Sequence, residues 1–507
     1  MLKRNVLANV TGQAAAAVIG LVTVPIYLAW LGREGYGVIA FFTSLQALAI
    51  ILDLGFGIAG NREISRHAAA GDFSSARNLI RTLELVSAVT ALVVWTGVSL
   101  AADWIAIAWI RSQHISPIAI HGALVISAGN IALRFPIGLY SGILRGLERQ
   151  VALNVIASSV SVARACATVL ILVFVSQDIV VFCAIQLAFS VFEMGLVGVV
   201  VWRSVGDVAG TPARLDMQIL RDIWRFAFSI AGASVFAGVL KQLDKVVISK
   251  LLTIDQLGFY ATASTAGLAI AKVYQPIQAA VFPRFTKMIA NGEKAVLERA
   301  LREATHVVAF VGSAVASVIM YNARDILALW TRSPELADSA ASTLAIMALA
   351  MMFNVMVSMP YTIALAAGMG WMPLYTNAVG AVLLAPMVYL FVLKLGMPGG
   401  ALAWAVFNLG YYAVFPQVVF RKVELACGWR WVVGDTLPFI AGGVLIFGAA
   451  HMVGSKDASQ PLRGVAMVAA LLAYAGAACA YSPAIRRALL DVPYIGSVIT
   501  RLRRRWF

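Results

Sequence analysis

The sequence predicts an all-α integral membrane protein of about 14 transmembrane helices, arranged as two six-helix lobes and an appended helix pair. The first observation is composition: 61% of the 507 residues are hydrophobic and 12% are charged, whereas soluble domains carry about 25% charged residues. The second is a series of apolar stretches of about 20 residues, the length that crosses a membrane. The third is an internal repeat.

Fourteen stretches meet this length and hydropathy criterion. They are residues 9–31, 36–60, 83–102, 118–142, 153–176, 179–202, 224–250, 259–282, 305–330, 339–366, 373–394, 399–420, 435–453 and 462–481. The first is too long for the core of a signal peptide and has no Ala-x-Ala exit, so we expect it to be a retained span. The connections 61–82 and 283–304 carry amphipathic patterning and are expected to lie on the cytoplasmic surface.

The basic residues decide the predicted orientation. Net charge is +15, and most Lys and Arg residues fall in alternate connections that share the side of the N-terminus. This asymmetry is the positive-inside rule and predicts that both termini are cytoplasmic in the bacterial inner membrane. The tail cluster Arg501, Arg503, Arg504 and Arg505 then serves as an anchor to lipid headgroups. No nucleic-acid partner is needed to explain the charge.

The repeat predicts the domain organisation. Leu31, Glu34 and Gly37 recur as Leu252, Asp255 and Gly258, each pair being separated by 221 residues, and Gly71, Asp72 and Arg81 recur as Gly292, Glu293 and Arg302. Six spans separate the equivalents, an even number, so the two halves enter the membrane in the same direction and form a parallel repeat. We expect an N-lobe at 1–205 (spans 1–6), a cytoplasmic linker at 206–222, a C-lobe at 223–421 (spans 7–12), and spans 13 and 14 with the basic tail at 422–507.

The sequence offers no chemistry typical of an enzyme. It contains no phosphate-binding GxxxxGK[ST] loop and no acidic DxD triplet, and every connection is short. Four cysteines lack CxxC spacing and five histidines lack metal-ligand spacing. We therefore expect no catalysis, no cofactor and no metal site.

Ionisable residues inside the spans are the candidate functional residues, because a charge at membrane depth is costly and usually marks a pathway. Arg164 and Lys272 fall near the midplane, one in each lobe, and Arg134 falls in the cytoplasmic third. Lys241 and Lys245 lie towards the outer side, and the acids at depth are Asp53, Glu193 and Asp244.

Two interpretations of these charges are open. In the first, they pair internally: Arg164 meets Glu193 on the adjacent span, and Lys241, Asp244 and Lys245 share one helical face. In the second, five bases against three acids leave a surplus of positive charge, which suits a phosphate or diphosphate ligand. On that interpretation Arg134, Arg164 and Lys272 line a cationic cleft, with Lys241 and Lys245 as further candidates and the three acids as ion-pair or coupling candidates.

Several short motifs resemble one known family, the polysaccharide transporters. These Wzx-type flippases of O-antigen, capsule and exopolysaccharide assembly share a superfamily with multidrug-and-toxin extruders (MATE) and the lipid II flippase. The motifs are Asn9-Val10, Gly20, Pro25, Leu31-Gly32-x-x-Gly35-Tyr36-Gly37, Leu52-Asp53-Leu54-Gly55-Phe56-Gly57, Leu243-Asp244-Lys245 and Leu257-Gly258-Phe259-Tyr260-Ala261.

The resemblance implies a V-shaped, MATE-like fold and alternating access. The implied substrate is an undecaprenyl-diphosphate-linked oligosaccharide, moved from the cytoplasmic to the periplasmic leaflet, with ion or proton gradients as the energy source. The implied partners are this polyprenyl diphosphate lipid, the membrane, and the polysaccharide polymerase and chain-length proteins.

Three other functions are compatible with parts of the sequence. A multidrug or cation extruder fits the superfamily, although its acidic lobes contrast with the net positive spans of this chain. A lipid II flippase shares the span number and the basic cavity. A non-transporting scaffold of an envelope polysaccharide synthase would use the buried charges only for folding.

Overall fold

The computed structural model describes residues 2–49, 56–110, 112–206, 213–218, 221, 238–453 and 460–490. These residues are predominantly helical and contain no strand, which confirms the all-α prediction. Chain contacts divide the protein into two compact units. Unit 1 is Met1–Ala261 with Asn377–Ala381, and unit 2 is Thr262–Thr376 with Val382–Phe507.

Unit 1 is a bundle of helices with an apolar core that includes Ile64, Leu79, Leu139 and Val201. Its elements are α1 (Leu2–Ala49), α2 (Phe56–Ala69), α3 (Phe73–Trp104), α4 (Pro117–Ala132), α5 (Arg134–Gly146), α6 (Gln150–Phe174), α7 (Ile179–Val205), α8 (238–251) and the first part of α9 (Ile254–Leu268). A π-helical turn, Ile105–Trp109, extends α3.

Unit 2 is organised around one long buried helix, α13. Its remaining elements are α10 (Ala271–Ala290), α11 (Lys294–Tyr321), α12 (Ala323–Thr331), α13 (Pro334–Ala366), α14 (Trp371–Leu395), α15 (Met397–Val423), α16 (Gly428–Arg430), α17 (Leu437–Val453), α18 (Gln460–Tyr481) and α19 (Pro483–Leu490). Ser333 caps α13 by accepting from the Leu336 N–H, and Pro334 occupies its first turn, where no donor is lost. Helices α10, α11, α12 and α15 all pack on α13.

Ten helical segments in the described part of the chain are long and apolar enough to cross a membrane. They match the predicted spans other than 9–31, 36–60, 224–250 and 259–282. The first two join in α1, whose helical geometry breaks at Gly32 (φ 73°), and both 36–60 and 224–250 extend into residues outside the described part. Helices α9 and α10 share the stretch 259–282, so neither alone covers it.

The two long connections are helical, as their patterning predicted, but they are not separate surface helices. The first forms α2 and the opening turns of α3, and the second forms the end of α10 and the opening turns of α11. A tight turn joins the helices in each case, at 70–72 and at 291–293. Each connection is therefore a helical hairpin whose second helix continues into the following predicted span.

The turns of the two units match, as the repeat predicts. Gly71 and Gly292 have φ of 70° and 71°, a region in which glycine is favoured because it lacks a Cβ. The Asp72 N–H donates to the His67 carbonyl at 3.0 Å, and at the equivalent turn the Glu293 N–H donates to the Met288 carbonyl at 3.0 Å.

The match continues further along each unit. The Arg149 N–H donates to Leu144 O at 2.8 Å and the Met369 N–H donates to Ala364 O at 2.9 Å. Sequence identity between the halves is low, yet the hydrogen bonds that end their helices recur at nearly the same offset. The internal repeat is therefore visible in how corresponding helices of the two units end.

Within unit 1, the two copies of the outer-turn motif pack directly on each other. A Cβ at Gly37 would overlap the Ile254 main-chain oxygen, and a Cβ at Gly258 would lie 3.0 Å from the Arg33 oxygen. Gly37 and Gly258 are repeat equivalents, and so are Arg33 and Ile254. The contact is therefore reciprocal, and the absence of a side chain at both glycines allows the two backbones to approach.

The appended helices are fixed to α11 by a polar network within unit 2. His306 Nδ1 lies 2.8 Å from Ser482 Oγ, and His306 Nε2 lies 3.1 Å from Asp435 Oδ1. Arg302 also pairs with Asp435, at 3.3 Å, and the Trp431 indole donates to Thr305 at 3.1 Å. The outward faces of α17 and α18 expose Leu445, Val465 and Leu472, as expected for a pair that faces lipid.

Candidate functional site

Arg164 on α6 and Glu193 on α7 form an ion pair inside unit 1. Arg164 Nη2 lies 2.7 Å from Glu193 Oε2, and the two side chains are 15% and 12% exposed. Helices α6 and α7 are adjacent and antiparallel, which brings the two residues to similar depth although they are 29 positions apart. The pairing interpretation therefore applies to Arg164.

Arg134 on α5 is a second cation in the same region. It lies close enough to interact electrostatically with both Arg164 and Glu193, and the repulsion from Arg164 exceeds the attraction to Glu193. Its buried Nε has no hydrogen-bond partner, and the guanidinium makes no ion pair among the residues that the structure describes. One positive charge in this cluster is uncompensated.

Arg134 lines a cavity of about 180 Å³ within unit 1. The polar residues that line it with Arg134 are Tyr27, Thr43, Gln46, Ser127, Asn130 and Gln186. Several of these bond to one another or to neighbours: the Ser190 hydroxyl donates to Asn130 Oδ1 at 2.6 Å, and Gln186 donates to Thr168 Oγ1 at 3.3 Å. Polar side chains of the cavity wall are thus hydrogen-bonded, whereas the Arg134 guanidinium has no hydrogen-bond partner among the described residues. Its N–H groups could therefore bind an anion in the cavity.

The predicted charge cluster on α8 is arranged differently. Asp244 is 4% exposed, and it accepts hydrogen bonds from the Tyr260 hydroxyl at 2.6 Å and the Lys245 main-chain N–H at 2.8 Å. Lys245 is half-buried and Lys241 is exposed. The structure thereby links the Leu243-Asp244-Lys245 motif to Tyr260 of the Leu257–Ala261 motif, which indicates that Asp244 joins α8 to α9.

The remaining predicted residues lie elsewhere. Lys272 is exposed on α10 of unit 2, whereas Arg134, Arg164 and Glu193 are brought together in unit 1. Asp53 lies outside the described residues.

Sequence reasoning missed Glu84, an acid in the first half of α3 whose side chain is 14% exposed. Its carboxylate accepts from the Tyr140 hydroxyl and the Trp202 indole, both at 2.8 Å, and from Arg81 at 3.1 Å. Glu84 is the second residue of a predicted span, which was a signal that it could be buried. Its donors lie on α5 and α7 and could not be assigned from one sequence.

A second missed acid is Glu34, in the turn after the first predicted span. Its carboxylate accepts from the Ser112 hydroxyl at 2.6 Å and from the main-chain N–H groups of Gln113, His114 and Ile115 at 2.7 to 3.1 Å. Burial raises the pKa of Glu34, but the hydrogen bonds from Ser112, Gln113 and His114 outweigh it and hold the pKa below its ordinary value. Glu34 thereby orders the loop before α4.

Two family models match the chain. The model described as "Polysaccharide biosynthesis protein" matches residues 2–289, which is more than half of the sequence. The model described as MatE matches residues 230–390. No curated protein matches the chain.

Solved structures of flippases and MATE transporters share the fold. The lipid II flippase MurJ in an inward closed conformation has a TM-score of 0.70 at 13% identity, covering 93% of this chain and 98% of its own. A multidrug resistance MATE family transporter of the MOP superfamily, inward-facing, has a TM-score of 0.67 at 15% identity, covering 81% of this chain and 94% of its own.

A third similar structure is a MOP superfamily transporter from Pyrococcus furiosus whose binding pocket is described as having reverse polarity. Its TM-score is 0.54 at 16% identity, and the match covers 83% of this chain and 95% of its own. These identities establish the fold alone, and the match to MurJ spans more of this chain than those to the two other transporters. The family model over residues 2–289, more than half of the sequence, shows that the chain belongs to the polysaccharide biosynthesis protein family.

Proposed function

We propose that this protein moves an undecaprenyl-diphosphate-linked oligosaccharide from the cytoplasmic to the periplasmic leaflet by alternating access. The observation that carries the proposal is the guanidinium of Arg134, which has no ion-pair partner among the described residues and lines a partly polar cavity. A buried charge without a counter-ion is costly, so a site of this kind favours an anionic ligand. A diphosphate supplies that charge, and guanidinium groups bind phosphate oxygens bidentately.

Arg164 has a different role in this proposal, because Glu193 already neutralises it. An arriving diphosphate competes with Glu193 for Arg164, and a proton taken up by Glu193 releases the guanidinium. We therefore assign Glu193 as the coupling candidate in unit 1. Lys272, Lys241 and Lys245 are further candidates for phosphate contact, and Asp53 and Asp244 for coupling or ion pairing.

The decisive experiment depletes the protein in its host and measures which leaflet holds the lipid-linked oligosaccharide. Cells are complemented with the parent, with Arg134→Gln, or with Arg145→Gln, each at parental expression. Arg145 is the matched control, because it lies on the same helix α5 and is exposed. We expect lipid-linked oligosaccharide to accumulate in the cytoplasmic leaflet with Arg134→Gln but not with Arg145→Gln.

Other outcomes would favour the alternatives. New sensitivity to cationic drugs with unchanged lipid-linked sugars would indicate an extruder, and accumulation of the peptidoglycan precursor lipid II would indicate a lipid II flippase. Loss of polymer with normal transfer between leaflets would indicate a scaffold. Any of these would contradict the proposal.

A further inference from the structure

An aromatic stripe runs along α15 in unit 2. Trp404, Phe407, Tyr411 and Phe415 are spaced three or four residues apart and therefore share one side of the helix. The Phe407 and Tyr411 rings are stacked with centroids 6.2 Å apart, and the Tyr411 and Phe415 centroids are 4.8 Å apart. At 1.5 Å per residue the stripe is about 16 Å long.

Two tyrosines from neighbouring helices extend this stripe. Tyr361 on α13 lies with its ring centroid 6.3 Å from that of Phe415, and Tyr274 on α10 lies near both Tyr361 and Tyr411. Tyr274, Tyr361 and Tyr411 are each half-buried. The three phenol groups thus converge on one region of unit 2 from three helices.

The hydroxyls of Tyr274 and Tyr361 have no hydrogen-bond partner among the residues that the structure describes. They are also absent from the fully buried unpaired atoms of that part of the chain, so neither oxygen is fully enclosed by protein. A hydroxyl that neither bonds to protein nor is fully enclosed needs water or a ligand, because leaving it unpaired in an apolar medium costs free energy.

We propose that this aromatic and hydroxyl surface of unit 2 binds the sugar rings of the transported lipid. The inference rests on the proposed function and adds the part of the protein that recognises the carbohydrate. The face of an aromatic ring is electron-rich and attracts the weakly positive C–H groups on one face of a pyranose. The free tyrosine hydroxyls donate to and accept from sugar hydroxyls.

The composition of the surface supports a neutral ligand. Its five accessible side chains, Tyr274, Tyr361, Trp404, Phe407 and Tyr411, carry no formal charge. Phe415 is 3% exposed and packs against Tyr361 and Tyr411 as part of the core. The uncompensated cation of unit 1 suits the diphosphate, whereas this surface of unit 2 offers rings and hydroxyls.

The test compares two probes on the full-length purified protein in nanodiscs. One probe is undecaprenyl diphosphate, and the other is undecaprenyl diphosphate carrying an N-acetylhexosamine-containing oligosaccharide isolated from the host. The variant Tyr274→Phe with Tyr361→Phe removes both free hydroxyls and keeps the rings. Tyr389→Phe on α14 is the control, because Tyr389 is 49% exposed on another helix of the same unit.

We expect the double variant to bind the sugar-bearing probe about tenfold more weakly, the loss expected for two ordinary hydrogen bonds. Its affinity for undecaprenyl diphosphate and its melting temperature should match the parent. A second variant, Phe407→Leu with Tyr411→Leu, should bind the sugar-bearing probe more weakly still. Arg134→Gln should bind both probes more weakly than the parent does.

Equal affinity of the parent for the two probes would overturn the inference and leave the proposed function standing. The inference would also be overturned if Tyr274→Phe with Tyr361→Phe bound the sugar-bearing probe as tightly as the parent. It would likewise be overturned if this variant lost affinity for both probes equally. If the parent binds neither probe, the proposed function fails and the inference fails with it.

Discussion

At the residue scale, Glu193 pairs with one of two nearby arginines. It contacts Arg164 at 2.7 Å, whereas Arg134 interacts with both charges without forming an ion pair among the described residues. The carboxylate therefore neutralises Arg164, in a region from which much of the solvent is excluded. The stability of unit 1 should depend strongly on this one side chain.

Replacing Glu193 with Leu should destabilise the protein by about 3 kcal/mol, since breaking a buried ion pair leaves the other charge unpaired. The double variant Arg164→Met with Glu193→Leu should recover most of that loss, because both charges are then absent. The measurement is thermal unfolding in detergent for the parent, both single variants and the double variant. The control Arg134→Gln should be neutral or stabilising, because it removes an uncompensated charge.

Glu34 predicts a dependence of stability on pH. Its pKa is held below the ordinary value near 4.5, so its contribution is complete above about pH 4.5 and is lost as the pH falls through the lower folded-state pKa. The melting temperature of the parent should therefore drop as the pH falls below about 4.5. In Glu34→Gln the melting temperature should be lower at pH 7, and the drop at acidic pH should be smaller. Identical pH profiles for the two proteins would contradict this account.

At the scale of elements, the reciprocal contact of the two glycine motifs holds α1, just after its break at Gly32, against the start of α9. A side chain at Gly37 would overlap a main-chain oxygen rather than a movable side chain, so the backbone itself would have to shift. Close approach of two backbones is a position at which only glycine fits. The repeat therefore preserves these glycines for packing.

Gly37→Ala should destabilise unit 1 by about 2 kcal/mol, within the range of overpacked substitutions. Gly97→Ala on α3 is the matched control, because a Cβ there meets nothing within 4 Å. The control should be neutral or stabilising by up to about 1 kcal/mol, because alanine favours helix more than glycine does. Thermal unfolding of both variants is the measurement, and equal melting temperatures would contradict the packing argument.

At the scale of the whole molecule, the membrane topology follows from the positive-inside rule and is open to direct test. Single cysteines placed at Ala70, Asn291, Gln177 and Leu395, in a variant without the four native cysteines, report the side on which each connection lies. Cysteines at positions 70 and 291 should react with a membrane-impermeant thiol reagent only after the cell is opened. Cysteines at positions 177 and 395 should react in intact cells whose outer membrane has been permeabilised. The opposite pattern would reverse the orientation.

Much of the fold was predictable because hydrophobic length and charge asymmetry are local properties of the chain. The all-helical class, the ten spans that the structure supports and the matched turns at Gly71 and Gly292 all follow from patterns along the sequence. The pairing of Arg164 with Glu193 was one of two interpretations of the buried charges. It could be proposed because the depth of a residue along adjacent spans can be estimated from the helical rise. The family resemblance likewise followed from short motifs at fixed spacing.

The sequence alone therefore determined the class of protein and the internal repeat. The tertiary structure decided which charges are compensated. Arg164 is paired with Glu193, and Asp244 accepts from Tyr260. Arg134 lines a partly polar cavity and has no ion-pair partner within the described ranges. The tertiary structure also brought together the three tyrosines of α10, α13 and α15. The physical reason is that partners for a buried polar group come from other helices, and helix packing is set by side chains far apart in the chain.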